Sequence, residues 1–122
     1  MKTTYQTGIW GENTAEQYLV QNKGMVCLER RYRTKCGEID LILTDGDTVV
    51  FTEVKTRKTA GPGNGLAAVN IRKQKRILNA ALIYLMHRKW TSRPVRFDIV
   101  EIHGEEIIYI PDAFRPYGKY YH

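Results

Sequence analysis

The chain has 122 residues, a length that suits one domain over residues 1–122 with enough material to bury a core without disulfides or structural metals. Its apolar and charged fractions are ordinary for a soluble globular protein, and no stretch approaches the ~18 consecutive apolar residues of a membrane span. Nineteen lysines and arginines against 13 acids leave a net charge of +6, which favours a polyanionic partner such as nucleic acid, although a surplus carried for solubility fits composition equally well.

The N-terminus MKTTYQTGIW lacks the apolar run of a secretory signal. Ile9 to Asn22 then shows a helical pattern that stops at Lys23-Gly24, where glycine supplies the left-handed residue that ends helices. Ala15, Tyr18 and Leu19 form its apolar stripe, and Glu12 falls on the same stripe. A carboxylate facing the core needs a partner, since burying an unpaired charge is costly. The macrodipole alone would favour an acid near a helix start. Beside the acids of the hairpin that follows, a third metal ligand is the preferred reading of Glu12.

Met25 to Arg33 reads as a first strand, with Cys27 in its apolar run. Cys27 and Cys36 are expected as reduced thiols of a cytoplasmic protein, and without a CxxC motif or nearby histidine they make no zinc site. Arg31, Arg33 and Lys35 surround Tyr32 just ahead of the next strand. That mixture suits phosphate contact with base stacking, and equally a solvated strand end.

Gly37 to Arg57, GEIDLILTDGDTVVFTEVKTR, is two apolar-alternating runs joined by a tight polar turn, the pattern of a β-hairpin. With Gly46-Asp47 as a two-residue loop, Asp45 pairs with Thr48, Asp40 falls opposite Glu53, and Glu38 falls opposite Lys55. A three- or five-residue loop would shift this pairing by one. Directly opposed side chains share a face with Cβ atoms about 4.5–5.5 Å apart, so two carboxylates there repel each other. A divalent cation turns that repulsion into a binding site, because magnesium is held by one or two carboxylates. Lys55 points the same way as Glu53, and Glu38 is the expected cross-strand ion-pair partner of Lys55.

Lys58 to Ala68, KTAGPGNGLAA, is rich in glycine and has no hydrophobic periodicity, so it is expected to be a mobile loop bordering the hairpin acids. It holds no phosphate-loop pattern. Asn70 is placed to cap a helix from Ile71 to about His87, with Ile77, Leu78, Ala81, Leu82, Leu85 and Met86 as its buried side. Arg72, Lys73, Lys75 and Arg76 crowd its first turns, where cations oppose the macrodipole. An approaching phosphate explains them, and a solvated basic face is the plain alternative. Gln74 faces either the site or solvent. Val95 to Ile102 and Glu106 to Ile110 read as two further strands around a turn at Gly104. From about residue 112 the chain reads as a tail, expected to be mobile towards its end, that stacks on nucleic acid or packs on the body. His87, His103 and His122 are scattered and suggest no triad.

Helix, three strands, helix, strand, with acids on strands two and three, resembles the core of restriction-endonuclease-like nucleases, the PD-(D/E)xK superfamily. The motif here is Ile39-Asp40, twelve intervening residues, then Glu53-Val54-Lys55. The match is closer to the bacterial YraN family, a branch of that superfamily. It is carried by Gly11-Glu12, the GEIDLI run from Gly37 to Ile42, VFTEVKTR from Val50 to Arg57, Lys73, Arg76-Ile77, and Arg96 to Val100, with Asp112-Ala113-Phe114 completing it. D-x12-E-x-K alone recurs by chance, whereas GEIDLI followed by EVKTR at this spacing is far more specific. Ile39 stands where the superfamily motif has proline, which is not a ligand.

The resemblance implies an α/β fold with a restriction-endonuclease-like core, a mixed sheet flanked by helices. It implies a nuclease hydrolysing phosphodiesters in DNA ahead of RNA, plausibly in branched or recombination intermediates. Asp40 and Glu53 would hold Mg²⁺ or Mn²⁺ with the backbone carbonyl of Val54, and Glu12 would join directly or through water. Lys55 would orient or help deprotonate the attacking water and offset charge on phosphorus. Arg57, Lys58, Arg72, Lys73, Lys75 and Arg76, with Arg31, Arg33 and Lys35, would meet the nucleic acid, and a homodimer would suit two-strand cleavage. No membrane partner is expected. Two other classes stay open: a nucleic-acid-binding module that kept the fold without catalysis, and a protein-interaction domain with incidental charge.

Overall fold

Runs such as Leu41-Ile42-Leu43 and Val49-Val50-Phe51 are apolar at every position, which requires a sheet covered on both faces. The computed structural model, which describes residues 4–57 and 69–116, has that arrangement. In chain order it contains α1 (Thr4–Lys23), β1 (Val26–Arg33), β2 (Glu38–Asp45), β3 (Thr48–Arg57), α2 (Ile71–Arg88), β4 (Val95–His103) and β5 (Glu106–Ile110). The strands lie in the order β1-β2-β3-β4-β5. Only the β3–β4 pair is parallel, and α2 lies in the crossover between its strands. The expected sequence of helix, three strands, helix and strand is present, with β5 at the sheet edge.

The two faces have separate cores. Ala15 and Leu19 of α1 cover Leu41, Leu43, Val50, Val100 and Ile102. Ile77, Ala81 and Tyr84 of α2 cover Ile42, Phe51, Phe97 and Ile99. Even and odd positions of β3 divide between these cores, as the two-residue strand period demands. Glu53 follows Phe51 at that spacing and so shares the α2 face.

The hairpin register agrees with the sequence reading from Asp45↔Thr48 back to Leu41↔Thr52. Gly46 has φ +61°, which a turn with glycine first requires. The β2–β3 ladder stops at Leu41↔Thr52, while β2 stays paired with β1 and β3 with β4. The sheet therefore forks at Asp40 and Glu53.

Several expectations need correcting. α1 begins at Thr4 rather than Ile9. On α2, Ala80 and Tyr84 are buried, whereas Leu82 and Met86 are 45% and 65% exposed. The buried stripe runs through positions 77, 81, 84 and 85, and Tyr84 packs edge-on against Phe51 and Tyr32. Of the two alternatives for the C-terminal segment, its start packs on the body: the Ala113 N–H donates to the Phe97 carbonyl at 2.7 Å, and Phe114 is buried beside Phe97. Lys58 and the loop to residue 68, and the chain from residue 117, lie outside the described residues. Among the described residues no helix is long and apolar enough to cross a membrane.

Candidate functional site

Where β2 and β3 part, side chains replace the missing ladder bonds. The Val54 N–H donates to Asp40 Oδ2 at 2.8 Å, and the Asp40 N–H donates to Glu53 Oε2 at 3.3 Å. Each carboxylate thus has one oxygen engaged by the backbone of the opposite strand. Glu53 is only 3% exposed. Burial raises the carboxyl pKa of both residues, and the Val54 N–H partly offsets this at Asp40 while the neighbouring charge of Asp40 adds to it at Glu53.

Two lysines face this pair. Lys55 follows Glu53 on the same face of β3, and burial first, then the neighbouring Lys73, lower its pKa. Lys73 reaches in from the first turn of α2, with Nζ 3.7 Å from Glu53 Oε1. Its backbone is fixed, since Asn70 caps the helix and accepts the Lys73 N–H at 2.9 Å. Gln74 faces neither site nor solvent alone: its amide donates to the Val69 carbonyl at the same helix end. A close approach brings α2 to the fork. A Cβ on Gly37 would stand 2.6 Å from the Arg76 carbonyl oxygen, so only glycine lets β2 pass the helix there. Gly11 does the same on the other face, where a Cβ would meet Thr56 Cγ2 at 2.5 Å.

The fork opens into a cleft of about 520 Å³. Glu12, Asp40, Glu53 and Lys55 line it together with Arg33, Lys35, Glu38, Lys73 and Arg76. Among the described residues, the other cations assigned to nucleic acid do not line the cleft, and Lys58 lies outside the described residues. Arg31 pairs with Glu12 at 2.7 Å, Arg57 approaches the buried Glu101 at 3.3 Å, Lys75 borders an apolar groove on the far side of α2, and Arg72 is exposed outside the cleft. The expected Glu38–Lys55 ion pair is not formed. Beyond Leu41 the strands diverge, and Glu38 instead pairs with Arg33 on the adjoining strand at 3.4 Å.

Glu12 does face inward, but Arg31 takes its Oε1. Arg31 adopts φ +49°, an unusual conformation for a side chain of its size, and its pairing with Glu12 helps hold it there. Among the described residues no three histidine, cysteine or acidic side chains form a group able to hold a metal. The fork nevertheless offers an all-oxygen pair, Asp40 and Glu53, each with an oxygen not held by backbone. That set fits a hard cation that keeps several waters, and suits magnesium or manganese rather than zinc.

The sequence reading gives no role to two buried acids of β4, although Glu101 alternates there with Phe97 and Ile99. Glu101, fully buried, lies beside Lys55 in the β3–β4 ladder and contacts both Arg57 and His103, the latter at 3.0 Å. Its alternation with Phe97 and Ile99 marks it as inward-facing, and the pairing with His103 and Arg57 is what the sequence does not show. Asp98, also fully buried, accepts from Arg96, the Tyr109 hydroxyl and the Asp112 N–H, which explains that acid as a structural hub.

These features define a basic α/β protein whose five-stranded sheet forks over a cleft lined by carboxylates and lysines. The chain belongs to the uncharacterised protein family UPF0102, whose profile matches residues 11–102. This is the family that the YraN resemblance names. A UPF0102 protein of Pseudomonas syringae pv. syringae (strain B728a) is 41% identical over 104 residues, covering 84% of each chain. One from Yersinia enterocolitica is 43% identical over 110 residues, covering 88% of this chain and 93% of the relative. One from Stutzerimonas stutzeri (strain A1501) is 37% identical over 119 residues, covering 93% and 98%.

Proposed function

We propose that the protein is a metal-dependent nuclease with a restriction-endonuclease-like core, hydrolysing phosphodiester bonds in DNA. The observation that carries this reading is the fork, where the half-buried Asp40 and the buried Glu53 are held together through each other's strand, with Lys55 beside them. Holding two carboxylates together at a break in the ladder is unfavourable, and the nearby Lys55 and Lys73 leave both carboxyl pKa values raised, so the pair keeps a demand for a further cation. Magnesium or manganese held by Asp40, Glu53 and the Val54 carbonyl would supply a Lewis acid and an activated water. The chain's own contribution is positional. The backbone N–H groups of Asp40 and Val54 orient the carboxylates, and Lys55, its pKa lowered by burial, is suited to steer or deprotonate a water at the phosphate. Arg33, Lys35 and Arg76 on the cleft wall would grip the flanking phosphates.

One observation favours a second reading, a binding module without turnover. Glu12 is tied to Arg31, and no third acid completes the metal set among the described residues. A panel of labelled duplex, single-stranded and branched DNA and RNA, incubated with Mn²⁺ or with EDTA, separates the two. The nuclease reading expects cleavage with Mn²⁺ alone. Salt-sensitive binding with every structure left intact would replace it by the binding module.

A further inference from the structure

Lys73 does more than add positive charge to a helix end. Of the four cations on the first turns of α2, it alone pairs with a carboxylate of the fork. It meets Glu53 at Oε1, the oxygen that the backbone leaves open, because Oε2 accepts the Asp40 N–H. Its positive charge, like that of Lys55, favours the ionised forms of both Asp40 and Glu53. The two lysines thus offset the negative charge of the pair in part, and Lys73 stands at the open oxygen of Glu53 that a divalent cation would need.

We infer that Lys73 is an internal counter-ion of the fork, held on Glu53 until a divalent cation displaces it, and then free to contact the phosphate brought in beside that cation. The inference rests on the metal-site reading above and adds a competitor within the chain itself. The geometry allows the exchange without moving the helix. Asn70 pins the Lys73 backbone, whereas the side chain is flexible and 36% exposed, so its ammonium can turn from Glu53 into the cleft. A lysine that only bound phosphate would have no reason to reach past the open cleft to a carboxylate with 4% of its side chain exposed.

A competitor raises the metal concentration needed for occupancy, so its removal must tighten binding. The test is Mn²⁺ titration by calorimetry, without nucleic acid, on wild type, Lys73→Met, Lys73→Arg and Lys75→Met. The Lys75 variant loses the same charge from the same helix without touching the fork, and thermal melts confirm that each variant is folded. Lys73→Met is expected to bind Mn²⁺ about twofold to fivefold more tightly than wild type, the range that loss of one partly exposed ion pair supplies. Lys73→Arg should stay near wild type, and Lys75→Met should change little. Lys73→Met binding no tighter than Lys75→Met overturns the counter-ion role while leaving the metal site intact. Mn²⁺ binding to none of the four proteins overturns both.

Discussion

Asp40 and Glu53 are joined through the backbone as well as placed face to face: the Asp40 N–H donates to Glu53, and the N–H following Glu53, that of Val54, donates to Asp40. This reciprocal hold keeps two carboxyl groups together at a point where an ordinary hairpin would simply continue its ladder. Stability is given up there, and the loss depends on pH. Burial, with the charge of Asp40, pushes the Glu53 carboxyl up to about 8 from an ordinary value of 4.5. A carboxyl whose pKa rises on folding costs nothing while both states are protonated, and costs progressively more as pH climbs through the window between those values. In EDTA, Glu53→Gln should therefore melt with wild type near pH 4 and several degrees above it near pH 8. A difference that is constant across this range would show that ionisation of Glu53 is not the source of strain.

Gly37 sets how closely the fork approaches α2. A methyl group at this position would meet backbone rather than a movable side chain, so the helix start must shift. Gly37→Ala should cost about 1–3 kcal/mol in denaturant unfolding. It should also weaken the Lys73–Glu53 pairing, which can be followed as a change in the pH dependence of stability. An unchanged unfolding midpoint would mean that β2 and α2 are not pressed together.

The cleft wall divides the cations into those that face the site and those that do not. Arg33 and Arg76 line it, whereas Lys75 and Arg72 do not. Replacing Arg33 and Arg76 together by alanine should lower the salt dependence of DNA binding by about two units of slope, one for each phosphate left without its cation. The corresponding change at Arg72 and Lys75 should lower it less. Equal effects from the two pairs would place the nucleic acid on the outer face of α2 instead.

Much of this site is legible in the sequence because a hairpin with a two-residue turn has only one register. From Gly46 the pairing runs back to Leu41 and Thr52, and Asp40 and Glu53, the next pair in that count, meet through side chain-to-backbone hydrogen bonds where the ladder ends. The Glu38–Lys55 pair fails for the same reason that the site exists: ladder arithmetic assumes that strands stay side by side, and these separate where the acids are inserted. The helical stripe marks Glu12 as an inward carboxylate needing a partner, but Arg31 reaches it through a left-handed backbone conformation that no residue pattern announces. Lys73 lies four residues before Ile77 and eight before Ala81, so helical spacing already puts it on the sheet-facing stripe, but among four neighbouring cations composition gives no sign that it pairs with Glu53. On the same helix, apolarity points Leu82 and Met86 to the core, whereas Tyr84 packs there as part of an aromatic cluster.

Cleavage by matched proteins is the decisive measurement for a nuclease built on the fork. Labelled branched DNA would be incubated with Mn²⁺ and wild type, Glu53→Ala or Lys55→Ala, with binding measured in parallel. Wild type should cleave in a reaction that EDTA abolishes, and both variants should lose cleavage while still binding. Equal cleavage by wild type and Glu53→Ala, with or without metal, would contradict a catalytic role for the fork.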